Sequence, residues 1–140
     1  MVGSKTYFFL LLVLVTIASP PRAASQVAVV ELSITELQHL MESGRATSVE
    51  ITQAYLDRIE AYDQNGPGIN AMVWLSPTAL SQAEALDQER SDRGPRGPMH
   101  GIPIILKDNY DTPEMPTTAG TLALASNYAP DDAFQVFRGQ

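Results

Sequence analysis

The 140-residue sequence contains no cysteine, only two histidines and a single tryptophan. Without cysteine, the chain can form no disulfide, thiolate nucleophile or cysteine-ligated zinc site, so burial of apolar side chains must stabilise the fold. The histidines, His39 and His100, lie far apart in the sequence and offer too few nitrogen ligands for a zinc site. We therefore predict that the protein holds no metal and no cofactor.

Basic residues are also scarce, with nine lysines and arginines against sixteen acidic residues and a net charge of −7. Such a balance provides no surface for neutralising phosphates, so we predict no nucleic-acid partner and no attraction to anionic membranes. The hydrophobic content of 44% is that of one ordinary soluble domain rather than of a disordered chain.

Residues 1–25 have the pattern of a secretory signal peptide, because Lys5 precedes an apolar run over residues 7–18 and small residues follow. The run is shorter than the roughly 20 apolar residues that span a bilayer, so cleavage after Ser25 is favoured over a retained membrane anchor. We predict a secreted protein, extracellular or periplasmic if bacterial, with no stable membrane anchor. Its remaining part has seven basic and sixteen acidic residues.

Two capping boxes, at residues 33–36 and 47–50, predict a helix over residues 34–43 and a second helix that ends at Tyr62. The later patterns predict a strand over 69–75, a helix over 77–90 capped by Ser76, a strand over 102–106, and helices over 117–125 and 131–137. This order indicates an α/β domain. Because two strands do not make a stable sheet, we expect residues 26–140 to be the amino-terminal portion of a larger domain.

The stretch from Gly97 to Gly120 carries the strongest indication of function. Its apolar run, Ile102 to Leu106, delivers Lys107 to a segment interrupted by prolines and glycine, as where a strand ends at a loop-lined site. Lys107 is the only lysine after residue 5. A lysine acts as a base near neutral pH only when it is desolvated or placed beside other cations. The apolar run offers desolvation, but spacing alone favours a structural lysine over a catalytic one.

Other candidate sites in the sequence are weaker. His100 is favoured as a structural histidine at a strand entry, since no serine lies in a Gly-x-Ser-x-Gly turn that would complete a catalytic triad. Asp108 and Asp111 are two carboxylates without a third ligand, which is a poor metal site. The arginines at positions 90, 93 and 96 are interpreted as solvated charges, and the glycines at 94, 97 and 101 precede a strand and so form no dinucleotide loop.

The same stretch closely resembles the lysine-bearing motif of the amidase signature family. The matching segments are Pro98 to Pro103, Lys107 to Asn109 and Met115 to Gly120. The resemblance implies a mixed sheet wrapped by helices and an enzyme that hydrolyses carboxylic amides. It further implies a serine nucleophile, a second serine on a cis peptide bond, and a lysine that serves as base through that second serine. Lys107 matches this catalytic lysine.

The sequence departs from the family because it contains no Gly-Ser-Ser-Gly-like segment for the two serines. We therefore expect these 140 residues to be an incomplete amidase that is inactive alone, with a small-molecule amide as substrate of the full-length protein. The alternative is a non-catalytic secreted binding or interaction protein that keeps the lysine strand as scaffold.

Overall fold

The computed structural model describes residues 27–139, with side chains described up to residue 137. The segment for which a signal peptide is predicted lies outside these residues. Across residues 27–139, every helix falls short of the length and apolar character that a membrane span requires.

Two helices begin at the capping boxes, which confirms this part of the sequence prediction. Helix α1 covers Ile34–Glu42 and helix α2 covers Ser48–Arg58. In both boxes the cap hydroxyl accepts the backbone N–H three residues later, and the glutamate at that position accepts the backbone N–H of the cap. The remaining elements are a π-helical continuation of α2 over Ile59–Gln64, helix α3 over Ala79–Arg93, a 3₁₀ turn over Leu122–Leu124 and helix α4 over Phe134–Gly139.

A small core lies between α1, α2 and the segment that precedes α1. Ile51 is its most deeply buried side chain, with an exposed fraction of 0%. Burying an isoleucine side chain contributes roughly 1.5–3 kcal/mol to stability. The other buried members of this cluster are Val29, Leu37, Met41, Ala46 and Ala54.

Helix α3 packs against α2 through a face of small residues, and Ala83 is buried there. From the same helix, Asp87 reaches the amino terminus of α2, where its two carboxylate oxygens accept the N–H groups of Ser48 (2.7 Å) and Val49 (3.0 Å). The first amides of a helix have no partner within the helix, and a carboxylate also complements the positive end of the helix dipole. Asp87 is therefore a cap supplied by a neighbouring helix.

Neither predicted strand forms in the part of the chain that the structure describes, so the predicted sheet is not confirmed. Residues 69–75 and 102–106 belong to no β-ladder there, and residues 27–139 contain no strand at all. A strand is defined by hydrogen bonds to a neighbouring strand, and the described residues contribute none. Asn70 also has φ +54, a left-handed conformation that interrupts an extended segment. The predicted mixed sheet thus has no counterpart in residues 27–139.

The prediction of a helix over residues 117–125 is wrong, since only the 3₁₀ turn forms there. Ala119 and Gly120 have φ values of +48 and +74, which a right-handed helix does not allow. The third helix begins at Ala79 rather than Pro77, and its N-cap is Thr78. The Ser76 hydroxyl instead donates to the carboxylate of Glu114 at 2.7 Å.

We predict that Asp87→Asn lowers the free energy of unfolding by about 1–3 kcal/mol, because hydrogen bonds to a charged acceptor are lost while two amides stay partly buried. Urea unfolding followed by circular dichroism at pH 7 measures this change. Asp92→Asn is the matched control, since Asp92 lies on the same helix and its carboxylate accepts from the exposed Gln88 side chain. Equal losses in both variants would contradict the capping role.

Candidate functional site

The segment that leads to Lys107 is held in place by hydrogen bonds to its backbone carbonyl groups. The Gln38 side chain of α1 donates from Nε2 to the carbonyls of Pro98 (3.0 Å) and His100 (2.8 Å). The Arg90 guanidinium of α3 also donates to the carbonyl of His100 (3.0 Å), and to Gln38 Oε1 (2.7 Å). One amide side chain and one guanidinium therefore join α1, α3 and this segment.

Helix α2 holds the next residue of the segment. The buried hydroxyl of Ser48 donates to the carbonyl of Gly101 at 2.7 Å. Gly101 has φ +76, and a Cβ atom at this position would lie 3.1 Å from the Ser48 side chain and 3.4 Å from Met41 Sδ. Both the conformation and the close approach require glycine.

The imidazole of His100 lies between α3 and the connector that follows α3. It is 5% exposed, its Nε2 lies 2.9 Å from the carbonyl oxygen of Leu86, and its Nδ1 accepts the backbone N–H of Arg96 at 3.4 Å. These partners fix one neutral tautomer, in which Nε2 carries the proton and donates it to Leu86. Both nitrogens have structural partners, in agreement with the structural role predicted for His100.

The arginines near this segment are not all solvated, contrary to the sequence interpretation. Arg90 is partly buried in the network with Gln38 and His100. Arg96 forms an ion pair with Glu89, with 2.5 Å between Arg96 Nη2 and Glu89 Oε2. The hydrogen bond from Arg96 lowers the pKa of Glu89. Sequence reasoning missed Arg90 because nothing local indicates its partners on α1.

Lys107 ends the extended segment and begins a turn. Its carbonyl oxygen accepts the N–H groups of Asn109 (2.7 Å) and Tyr110 (3.0 Å). The side chain of Lys107 is exposed, and among residues 27–137 its ammonium makes no hydrogen bond or ion pair. The desolvation expected from the preceding apolar run is not present there, since Ile104 and Ile105 are 52% and 72% exposed.

The carboxylate of Asp108 closes the loop that follows Lys107, which we call the lysine loop (residues 107–120). Asp108 Oδ1 accepts the N–H of Thr118 (2.9 Å), and Oδ2 accepts the Thr118 hydroxyl and the N–H of Gly120 (3.1 Å). The N–H of Ala119 donates to the Asp108 carbonyl at 2.8 Å. These hydrogen bonds lower the pKa of the Asp108 carboxyl, and the largest contribution comes from the Thr118 hydroxyl. The backbone N–H groups of Thr118 and Gly120 contribute less, and the charge of Lys107 adds a smaller effect in the same direction.

Two further contacts attach the lysine loop to the rest of the chain. The Glu114 carboxylate accepts from the hydroxyls of Ser76 and Thr78 at the start of α3. The carbonyl of Asp111 accepts the N–H of Ala133 just before α4, at 2.9 Å. The loop is therefore closed on itself by Asp108 and attached to the rest of the chain through Asp111 and Glu114.

The structure does not bring Asp108 and Asp111 together as a metal site. The Asp108 oxygens already accept from the loop, and no group of three potential metal-ligating side chains occurs within the described residues. A cleft of about 610 Å³ is lined by residues of α3, of the segment Met99 to Leu106 and of Thr112 to Met115. Leu106 lines this cleft and Lys107 does not, so the lysine lies just outside it.

We expect acid to destabilise the fold through Asp108 and Asp63, whose carboxylates both accept backbone amides and both have lowered pKa values. The stability contributed by a lowered pKa is fully present above the unfolded-state pKa, about 3.9 for aspartate, and is lost as the pH falls through the folded-state pKa. Urea unfolding between pH 7 and pH 2.5 measures the loss. Asp108→Asn should reduce this dependence on pH, and an unchanged dependence would contradict the assignment.

Comparison with known proteins identifies the family. A family model described as Amidase matches residues 50–138. The chain is 42% identical over 118 residues to a Schizosaccharomyces pombe protein provisionally named an amidase, covering 84% of this chain and 20% of that protein. It is 39% identical over 108 residues to a component of the Glutamyl-tRNA(Gln) amidotransferase of Salinispora arenicola, covering 76% of this chain and 21% of that protein.

Comparison with solved structures also indicates the amidase family. The fold is similar to that of native peptide amidase from Stenotrophomonas maltophilia, with a TM-score of 0.75 and 47% identity over 78% of this chain and 22% of that one. The chain spans about a fifth of the length of the curated relatives it matches. These matches, together with the lysine-bearing motif that the described fold holds in place, establish that the chain belongs to the amidase family.

Proposed function

We propose that this chain is the lysine-bearing part of an amidase that hydrolyses the C–N bond of a carboxylic amide, with Lys107 as base. In this mechanism Lys107 withdraws a proton through a serine on a cis peptide bond, and that serine activates a second serine, the nucleophile. The proposal rests on one observation above all: Lys107 occupies the lysine position of the family motif, in a chain that matches the Amidase family model.

The chemistry requires an unprotonated base, so the remainder of the enzyme must shield Lys107 from water, which residues 27–137 do not do. A serine hydroxyl is a weak nucleophile, so a positioned base must remove its proton as it attacks the amide carbonyl. The proton then passes to the leaving amine, water releases the acyl group from the serine, and backbone N–H groups stabilise the tetrahedral oxyanion. In this proposal Lys107 supplies the base, and serines outside these 140 residues supply the nucleophile and the relay, because the sequence has no Gly-Ser-Ser-Gly-like segment.

We propose a small-molecule amide as the substrate of the complete enzyme. Support comes from the solved relatives, one of which is a peptide amidase from Stenotrophomonas maltophilia. The signal-peptide pattern of residues 1–25 supports export, so the proposed reaction takes place outside the cytoplasm.

The test compares purified residues 26–140 with a longer product of the same gene that carries a glycine-flanked serine pair. We expect amide hydrolysis, and acyl transfer to hydroxylamine, only in the longer protein. Lys107→Ala in that protein should lower turnover about a hundred- to ten-thousand-fold, the usual contribution of a positioned base. Liquid chromatography of the released acid and of the hydroxamate measures both reactions.

Arg93→Ala is the matched control, because it removes an exposed cation of α3 that lies outside the lysine loop. It should leave turnover unchanged. Turnover that survives Lys107→Ala would contradict the mechanism, whereas turnover by residues 26–140 that depends on Lys107 would contradict the need for further serines. A longer protein that lacks turnover with all amides tested would favour the non-catalytic binding protein instead.

A further inference from the structure

The carboxylate nearest to Lys107 in the sequence, that of Asp108, accepts hydrogen bonds from other residues of the loop. Asp108 is the next residue, yet no ion pair joins the two side chains in the described part of the chain. Instead, both Asp108 oxygens accept from Thr118 and Gly120, which lie ten and twelve residues further on. Three donors thus surround a charge that would otherwise be available to the neighbouring ammonium.

The backbone of the loop is shaped for this role. Ala119 and Gly120 both have positive φ, and this bend lets the N–H groups of Thr118 and Gly120 reach the Asp108 carboxylate while the N–H of Ala119 donates to the Asp108 carbonyl. Holding a non-glycine residue such as Ala119 in the left-handed region costs free energy, so the surrounding contacts must maintain it. The buried Thr118 side chain adds its hydroxyl to the same carboxylate.

We propose that Asp108 is a positioning residue, whose capture by Thr118 and Gly120 holds its oxygens away from the Lys107 ammonium and so leaves the lysine unpaired. This inference rests on the proposed function, because an unpaired lysine matters for a base. An ammonium paired with a carboxylate keeps its proton more firmly and is a poorer base. The loop therefore separates two adjacent opposite charges that would otherwise form a contact pair.

The test measures acylation of Lys107 by acetic anhydride in the purified full chain at pH 8.5. Peptide mass spectrometry follows the fragment that contains Lys107, with the α-amino group as internal reference. Only the unprotonated amine reacts, so pairing with a carboxylate slows the reaction. Lys107 is the only lysine after residue 5, so its signal is unambiguous.

Thr118→Val removes the hydroxyl donor and leaves Asp108 Oδ2 with one backbone donor, the N–H of Gly120, so that this oxygen can turn toward Lys107. Acylation should become about two- to fivefold slower, which is the effect of an exposed ion pair. Thr118→Ser keeps a hydroxyl and should retain the wild-type rate. Adding Asp108→Asn to Thr118→Val should restore the wild-type rate, because no charge remains to pair with the lysine. A merely structural loop would not produce this rescue.

If Thr118→Val does not fold, the acylation rate of Lys107 in Asp108→Asn alone tests the proposal independently. The proposal expects little change in acylation, whereas two- to fivefold faster acylation would mean that the wild-type pair is already formed and would overturn the proposal. Slow acylation that persists in the double variant would overturn it too. Asp63→Asn is the control, since Asp63 accepts backbone amides of Ala71 and Met72 away from the lysine loop. None of these readings uses amide turnover, so they are independent of the proposed enzyme activity.

Discussion

The position of the segment that leads to Lys107 depends on hydrogen bonds to three of its backbone carbonyls, those of Pro98, His100 and Gly101. The donors are side chains from three different helices. The donors are an amide, a guanidinium and a hydroxyl. A loop segment without ladder partners exposes its carbonyl oxygens, and burying them without donors would be costly. These bonds therefore let an irregular segment pack against a helical core, which fixes the point from which the lysine segment leaves that core.

The acidic character of the chain has a structural use. Asp63, Asp87 and Asp108 each accept backbone N–H groups that their own elements leave without partners. Asp87 caps a helix from a neighbouring helix, whereas the other two close loops. Carboxylates are strong acceptors for N–H groups, and each is placed where a backbone segment ends or turns. An excess of acid over base thus reflects internal hydrogen bonding as well as solubility.

Sequence patterns predicted the elements whose determinants lie within a few residues of one another. The capping boxes at Ser33 and Thr47 are of this kind, and both helices begin where expected. The lysine motif was also recognisable, because its residues are contiguous. The helix predicted over 117–125 failed for the opposite reason, since Asp108 takes amides of that segment from ten residues away. The predicted strands are not confirmed, because hydrogen-bonding partners, and not apolar runs, define a strand, and the described residues supply no such partner.

Distance along the chain affects when the site forms. The bond from Gln38 to Pro98 spans 60 residues, whereas the hydrogen bonds within α1 and α2 are local. Closing a long loop has an entropic cost that is recovered only when its ends meet, so contacts of short range form earlier during folding. The segment that carries Lys107 consequently depends for its shape on a helical surface that local contacts build. A change that weakens that helical surface therefore also alters the position of the lysine.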